Sequence, residues 1–398
     1  MHREGTVRKN VMTTGTRRLF NGLLMLGAAL LAHSSGAAEP RTIRLATVSP
    51  LSGEIAQMGE MIKLGAQLAV EELGPELAAK GLRLELAPQD DQANPDVGTG
   101  IARRLVNDPD VMGVVGHLNS GVAIPASEIY KDYSLVMVSP ANTATIVTDR
   151  GYATVNRVCG RDDVQGPAGA EFAATTLKVK KVFVVHDKTA YGQGVAQAFA
   201  DASKKKGLKV LGFVGTEERA NFQSLVLQMR ALRPDLVYFG GTYAQAAVLV
   251  KQMRDRSIKA LYMSDDAIDS EGFVRIAGPA ARDVYYSTVA GPGSEFPAAK
   301  AFGERFARRF KRMPEGYAIY AYDAAHAIIA AIKQAGPDRA AVAQAVRHSD
   351  FEGITGKIAF DDKGDRRLAD YFIIHLADGS YPGQVVRKIA MPAPPRVH

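Results

Sequence analysis

The sequence predicts an α/β protein of two similar lobes, each built on a mostly parallel sheet with helices on both faces. Three observations predict it. Short β-rich runs alternate with amphipathic stretches from residue 42, the rhythm restarts after Gly160, and a helical block with a β-rich tail follows the two halves. Strands joined through helices run parallel and need covering on both faces. At 398 residues the chain is long for one ordinary domain and comfortable for two lobes.

In the first half, 42–49 (TIRLATVS) reads as a strand and 59–73 as a helix. A strand over 82–87, a helix over 97–107 and a buried strand at Val111–Gly116 follow, then a helix over 120–133 and a strand over 135–139. The second half repeats the alternation, with helices over 166–177, 192–206, 222–232 and 244–256. Its strands are Lys181–His186, 210–215, 236–239, Leu261–Ser264 and 284–289. Then 297–311, 317–335 and 338–348 read as helices with no strand between them, and 352–379 as extended chain with Gly-Asp turns. Such an ending implies that the chain returns to a lobe already built, so that several connections join the lobes.

The composition, 46% apolar and 23% charged, is that of a globular protein. The net charge of +7 is concentrated at the start, where residues 1–38 hold five basic groups and one acid. The remainder balances 44 basic against 41 acidic residues, which does not suit a polyanion-binding surface. Lys204-Lys205-Lys206 and Arg308-Arg309 read as solvated helix faces. Arg17-Arg18, an apolar run over 19–32 and small residues over 34–38 form an export signal, with cleavage expected after Ala38. Thr16-Arg17-Arg18-Leu19-Phe20 also resembles a twin-arginine motif, and both export routes stay open. The single cysteine, Cys159, cannot form an internal disulfide and reads as a small buried hydrophobe.

The motifs of catalysis are missing: no G-x-S-x-G elbow, no phosphate loop, no H-E-x-x-H, and no metal-ligand spacing among the eight histidines. His117 and His186 end strands but read as packed or solvated side chains. Tyr191-Gly192-Gln193-Gly194 opens a helix like a dinucleotide fingerprint, yet Gln197 fills the third glycine position. No enzyme activity, cofactor or metal is expected.

Three strand ends carry residues suited to an ionic ligand. Gly116-His117-Leu118-Asn119-Ser120-Gly121 offers helix-start amides and the Ser120 hydroxyl to a carboxylate, although Ser120 also reads as a plain N-cap. Ser139-Pro140-Ala141-Asn142-Thr143 offers the Ala141 carbonyl and the Thr143 hydroxyl to an ammonium group. Ser264-Asp265-Asp266 supplies negative charge from the second half, unless these are exposed turn acids. Together they would bridge a zwitterion between the lobes.

The blocks VVGHLNSG (114–121), PASEIY (125–130), VSPANTAT (138–145), RGY (150–152), DDVQGP (162–167), VVHDKTAYGQG (184–194), DLVYFGG (235–241) and FDDKGD (360–365) carry a resemblance. The chain resembles the periplasmic leucine/isoleucine/valine-binding proteins of bacterial ABC transporters over almost its whole length after the signal. The resemblance implies two Rossmann-like lobes (the type I periplasmic binding protein fold) with a ligand cleft and three hinge crossovers. It also implies a division into a signal over 1–38, an N-terminal lobe of 39–161 and 291–371, a C-terminal lobe of 162–290 and 372–391, and a tail over 392–398.

By position it implies ligand contacts from Ser120, Ala141 and Thr143, with Asn119 and Asn142 beside them. Asp266 pairs with the ligand's amino group, and Tyr191 and Tyr317 stand on the pocket wall. Met58 and Thr242 stand where aromatic residues are common, and Asp266 is shorter than the usual glutamate. The implied role is capture of a branched-chain or other aliphatic amino acid in the periplasm for ABC permease subunits, by a monomer that binds no nucleic acid and does not enter the membrane once its signal is cleaved. A sensor of the same fold, or an importer component for an amide or aromatic acid, is the alternative.

Overall fold

The computed structural model describes residues 39–392; the expected export signal and the end of the tail lie outside them. The first half gives β1 (Arg41–Ser49), α1 (Ala56–Leu73), β2 (Leu82–Asp90), α2 (Pro95–Asn107), β3 (Val111–Gly116), α3 (Ser120–Asp132), β4 (Val136–Ser139), a single turn α4 (Ile146–Asp149) and β5 (Val155–Arg157). Its five strands pair in the order β2-β1-β3-β4-β5, all parallel. Parallel strands carry helices on both faces, so β3 (VMGVVG) is buried at every position. Helix α2 starts where the sequence tells it to: Asn94 Oδ1 accepts from the amides of Asp96 and Val97, and Pro95 needs no partner for an N–H it lacks.

The second half gives α5 (Asp162–Thr175), β6 (Lys181–His186), α6 (Ala190–Lys205), β7 (Lys209–Gly215), α7 (Gln223–Leu232), β8 (Leu236–Gly240), α8 (Tyr243–Asp255), β9 (Leu261–Ser264), α9 (Glu271–Ala277) and β10 (Val284–Thr288). The chain continues through α10 (Ala299–Phe310), α11 (Gly316–Ala335), α12 (Arg339–Arg347), the hairpin β11 (Asp350–Gly353) and β12 (Gly356–Ala359), then β13 (Leu368–Leu376) and β14 (Gln384–Pro392). The second sheet runs β14-β13-β10-β9-β8-β6-β7, with β13 and β14 joining antiparallel.

The helical block does return to the first lobe. Helix α11, apolar along nearly its whole length, packs on α1, β3 and β4. The two helices approach so closely that a Cβ on Gly65 would lie 2.1 Å from the Ala318 carbonyl oxygen. Asp323 of α11 then anchors the small hairpin, accepting from the amides of Ile354 and Thr355 and from the Thr355 hydroxyl.

The chain therefore passes between the lobes three times, after β5, after β10 and between β12 and β13. The first and third passages are bonded to each other. Asp365 accepts from Arg157 Nε at 2.5 Å and Arg161 Nη1 at 2.7 Å, and the Arg161 amide donates to the Tyr371 hydroxyl at 2.9 Å. Burial works against the Asp365 charge, but the two guanidiniums hold its carboxyl below the usual range.

The expected boundary at 371/372 falls inside β13, which begins at Leu368 and pairs with β14 from that residue on. Helix α5 starts four residues earlier than expected, at Asp162, and β5, α9 and β14 were not foreseen.

Candidate functional site

The loops that follow β1, β3 and β4 in one lobe face those that follow β6, β8 and β9 in the other, as open parallel sheets dictate. Between them lies a small cavity of about 30 Å³. The first lobe lines it with Ile55, Met58, Leu118, Asn119, Ala141 and Tyr317, the second with Tyr191, Thr242, Asp266 and Ala267. A wider depression of about 500 Å³, bordered by Glu54, Asp187, Glu217 and Arg219, opens from its mouth. A separate groove between α7 and α8, lined by Val226, Leu227, Arg230 and Arg256, lies away from these strand ends.

Asp266 follows β9 and is 2% exposed. Its Oδ1 accepts from Tyr191 Oη and Gln165 Nε2, both at 2.7 Å, and its Oδ2 from Tyr317 Oη at 2.5 Å. Burial pushes its carboxyl up, and the three donors pull it partly back. Asp265 is turned the other way. Its oxygens accept the amides of Gly241 at 2.9 Å and Ala267 at 3.1 Å, so it braces the loops that carry Thr242 and Asp266. Neither is an exposed turn acid. No lysine, arginine or histidine lines the cavity among the described residues, so its field is negative.

Across the cleft, Asn119 stands at the N-cap of α3 but makes no capping bond, and its Oδ1 has no partner. The Val122 amide turns back to the Asn119 carbonyl at 3.1 Å, so no side chain caps the amides of Ser120 and Gly121 at the positive end of the helix dipole. Ser120 is buried, and its Oγ accepts only a long bond of 3.4 Å from the Ala144 amide. The bare N-cap reading of Ser120 does not describe it, since Asn119 holds that position.

Asn142 donates from Nδ2 to the Leu118 carbonyl at 2.9 Å, and Ser139 Oγ accepts from the amides of Ala141 and Asn142. The two first-lobe loops are thereby tied side by side. Thr143 is fully buried with its hydroxyl unpartnered. Ser120, Asn142 and Thr143 sit just behind the lining, whereas Met58, Asn119, Ala141, Tyr191, Thr242, Asp266 and Tyr317 form it.

Other sequence features resolve into structure. His117 is buried between Asp91 (Nδ1 to Oδ2, 3.0 Å) and the Tyr130 hydroxyl (Nε2, 3.2 Å). His186 packs against Phe213, the two rings tilted by 35° with centroids 4.8 Å apart. Gly192 is required by packing, since a Cβ there would lie 2.5 Å from the Gly240 carbonyl oxygen. Cys159 is buried against the Asn142 carbonyl, and burial pushes its thiol up to about 12.

Sequence reasoning missed Ile55, Leu118, Ala267, Asp162 and Gln165 as site residues. Asp162 and Gln165 were legible in principle, because acids favour a first helical turn and residues i and i+3 share a face.

A family model described as periplasmic binding protein matches residues 42–380. An amino acid binding protein of Pseudomonas aeruginosa is 35% identical over 341 residues, 85% of this chain and 91% of that protein. A leucine-, isoleucine-, valine-, threonine-, and alanine-binding protein of the same organism is 33% identical, over 91% of this chain and 96% of its own. Among solved structures, the leucine binding protein LivK of Thermotoga maritima superposes with a TM-score of 0.81 at 27% identity, over 87% of this chain and 98% of that one. A Rhodopseudomonas palustris solute binding protein in complex with benzoate has a TM-score of 0.78 at 21% identity, over 89% and 97%, a likeness of fold alone.

Proposed function

This chain belongs to the periplasmic binding protein family, and from that premise we propose that it captures an aliphatic amino acid between its lobes and delivers it to the permease of an ABC importer. The observation that carries the reading is the polarity of the cavity. Unpartnered acceptors and Asp266 stand at one end, uncapped amides of α3 at another, and Met58, Ile55 and Leu118 between. A zwitterion matches that arrangement, its carboxylate on α3 and its ammonium at Asp266. Burying a leucine-sized side chain on the apolar wall contributes about 1.5–3 kcal/mol, while the ionic contacts fix orientation.

The family implies capture rather than turnover, and the likeness to named amino acid binders supports the ligand class. The periplasm is the compartment in which such capture operates, and the basic-then-apolar start of the chain agrees with export. An aromatic acid would leave the buried Asp266 without a cation, which disfavours that ligand despite the benzoate-bound fold neighbour.

A thermal-shift screen tests the proposal, since a ligand bound only by the folded state raises Tm. Leucine, isoleucine or valine should raise it, and benzoate and urea should not. A shift with benzoate and none with any amino acid would overturn it.

A further inference from the structure

Asp162 is a buried group that the site described so far leaves unused. It opens α5, is 3% exposed, and neither carboxylate oxygen has a hydrogen-bond donor among the described residues. A charge removed from water without partners is costly, so such a group is kept where something arrives to meet it.

Its surroundings are those of the ligand's cationic end. The Asp162 amide donates to the Thr143 carbonyl at 3.0 Å, fixing the residue beside the first-lobe loop. The unpartnered Thr143 hydroxyl is near enough to favour the Asp162 charge, though not in hydrogen-bonding geometry. One turn along α5, Gln165 donates to Asp266. Asp162 Oδ2 lies 3.9 Å from the position of a Cβ on Gly194, in the helix turn that begins with Tyr191. Asp266, by contrast, already receives three donors from the chain. A carboxylate offers about four lone-pair sites, so little acceptor capacity remains there. An ammonium group brings three N–H donors.

We propose that Asp162 is a second carboxylate of the cationic subsite, accepting from the ligand's ammonium group and selecting an amino acid over an analogue that lacks that charge. The inference rests on the amino acid reading above. In the unliganded chain, burial and the charge of Asp266 push Asp162 well above the usual carboxylate range. A cation between the two relieves both effects. The field of Arg157 reaches Asp162, but its guanidinium is committed to Asp365 and to the carbonyls of Asn142 and Ala144.

The test is a cycle between protein and ligand. Calorimetry would compare the wild-type chain and the near-isosteric Asp162→Asn with leucine and with its 2-hydroxy acid, in which a hydroxyl replaces the ammonium. Loss of a buried charge partner predicts a fall of about 100-fold for leucine and less than about 3-fold for the hydroxy acid. Asp162→Ser, which removes the charge with less bulk, repeats the comparison, and a Tm no lower than that of the wild type separates the effect from a folding defect. Equal losses for both ligands, or no loss for leucine, would overturn the inference alone. A wild-type chain that binds neither, or prefers the hydroxy acid, would overturn the amino acid reading and this inference with it.

Discussion

Tyr317 and Asp266 meet across the cleft, the hydroxyl of the first donating to the carboxylate of the second at 2.5 Å. Tyr317 belongs to α11 of the first lobe and Asp266 follows β9 of the second, so the bond exists only when the lobes are together. In the proposed reading, closure and ligand anchoring share one carboxylate. A ligand that contacts both sides favours the closed state through its difference in contacts between open and closed forms. Tyr317→Phe should lower amino acid affinity about 10-fold, the worth of a hydrogen bond to a charged group, with the fold intact by circular dichroism.

Asp266→Asn should cost more, about 100-fold or beyond, because in the proposed site this buried carboxylate is the partner of the ligand's cation. Titration calorimetry measures it. An affinity unchanged from wild type would remove Asp266 from the ligand site.

The rim of the cleft should matter little. Glu54 and Arg219 pair at 2.6 Å across its mouth, and both are well exposed. Such pairs contribute at most about 1 kcal/mol and are screened by salt. Arg219→Ala should weaken binding less than about 5-fold at low ionic strength, and the difference should vanish in 0.5 M salt, compared in paired titrations at the two ionic strengths.

Stability of the unliganded protein should fall as pH rises. Burial, opposed by hydrogen bonds from Thr288 and Tyr286, pushes the Asp269 carboxyl up to about 7. Such a group holds its proton more tightly folded than unfolded, so its contribution is best below about pH 4, declines as pH climbs to about 7, and then levels off. Burial drives Asp162, Asp265 and Asp266 in the same direction. The Tm should drop between pH 5 and pH 8, and Asp269→Asn should drop less.

The contact of α1 with α11 gives a steric test. Gly65→Ala places a methyl 2.1 Å from the Ala318 carbonyl oxygen and should destabilise by about 1–3 kcal/mol. Gly100→Ala in α2, where nothing lies within 4 Å of the new carbon, should instead stabilise by about 0.5–1 kcal/mol. Denaturant melts of the two variants should move in opposite directions.

The fold was legible where chemistry and periodicity agreed. Strands β3, β6 and β9 have the bounds expected of them, because each has a short apolar interior and ends at a polar turn. Strand β14 escaped notice because QVVRKIAMP mixes charges with apolar residues on a half-exposed edge, and β5 because three residues carry no period. The site was half legible. Ala141 and Asp266 follow strands directly, where parallel sheets put their ligands, whereas Ile55, Leu118 and Ala267 are ordinary apolar residues whose role comes only from the approach of the other lobe. Asp162 was hidden because its helix was expected to begin at Gly166, which left the acid in a loop with no facing side.

The burial of Cys159 has a practical use. The one sulfhydryl of the chain is shielded and reluctant to ionise, so reagents that label thiolates will pass it by. A cysteine introduced at Glu217, on the lip of the depression, would then be the single attachment point for a fluorescent dye. Its emission would report each arrival and departure of the captured molecule, turning the protein into an optical probe for its own cargo.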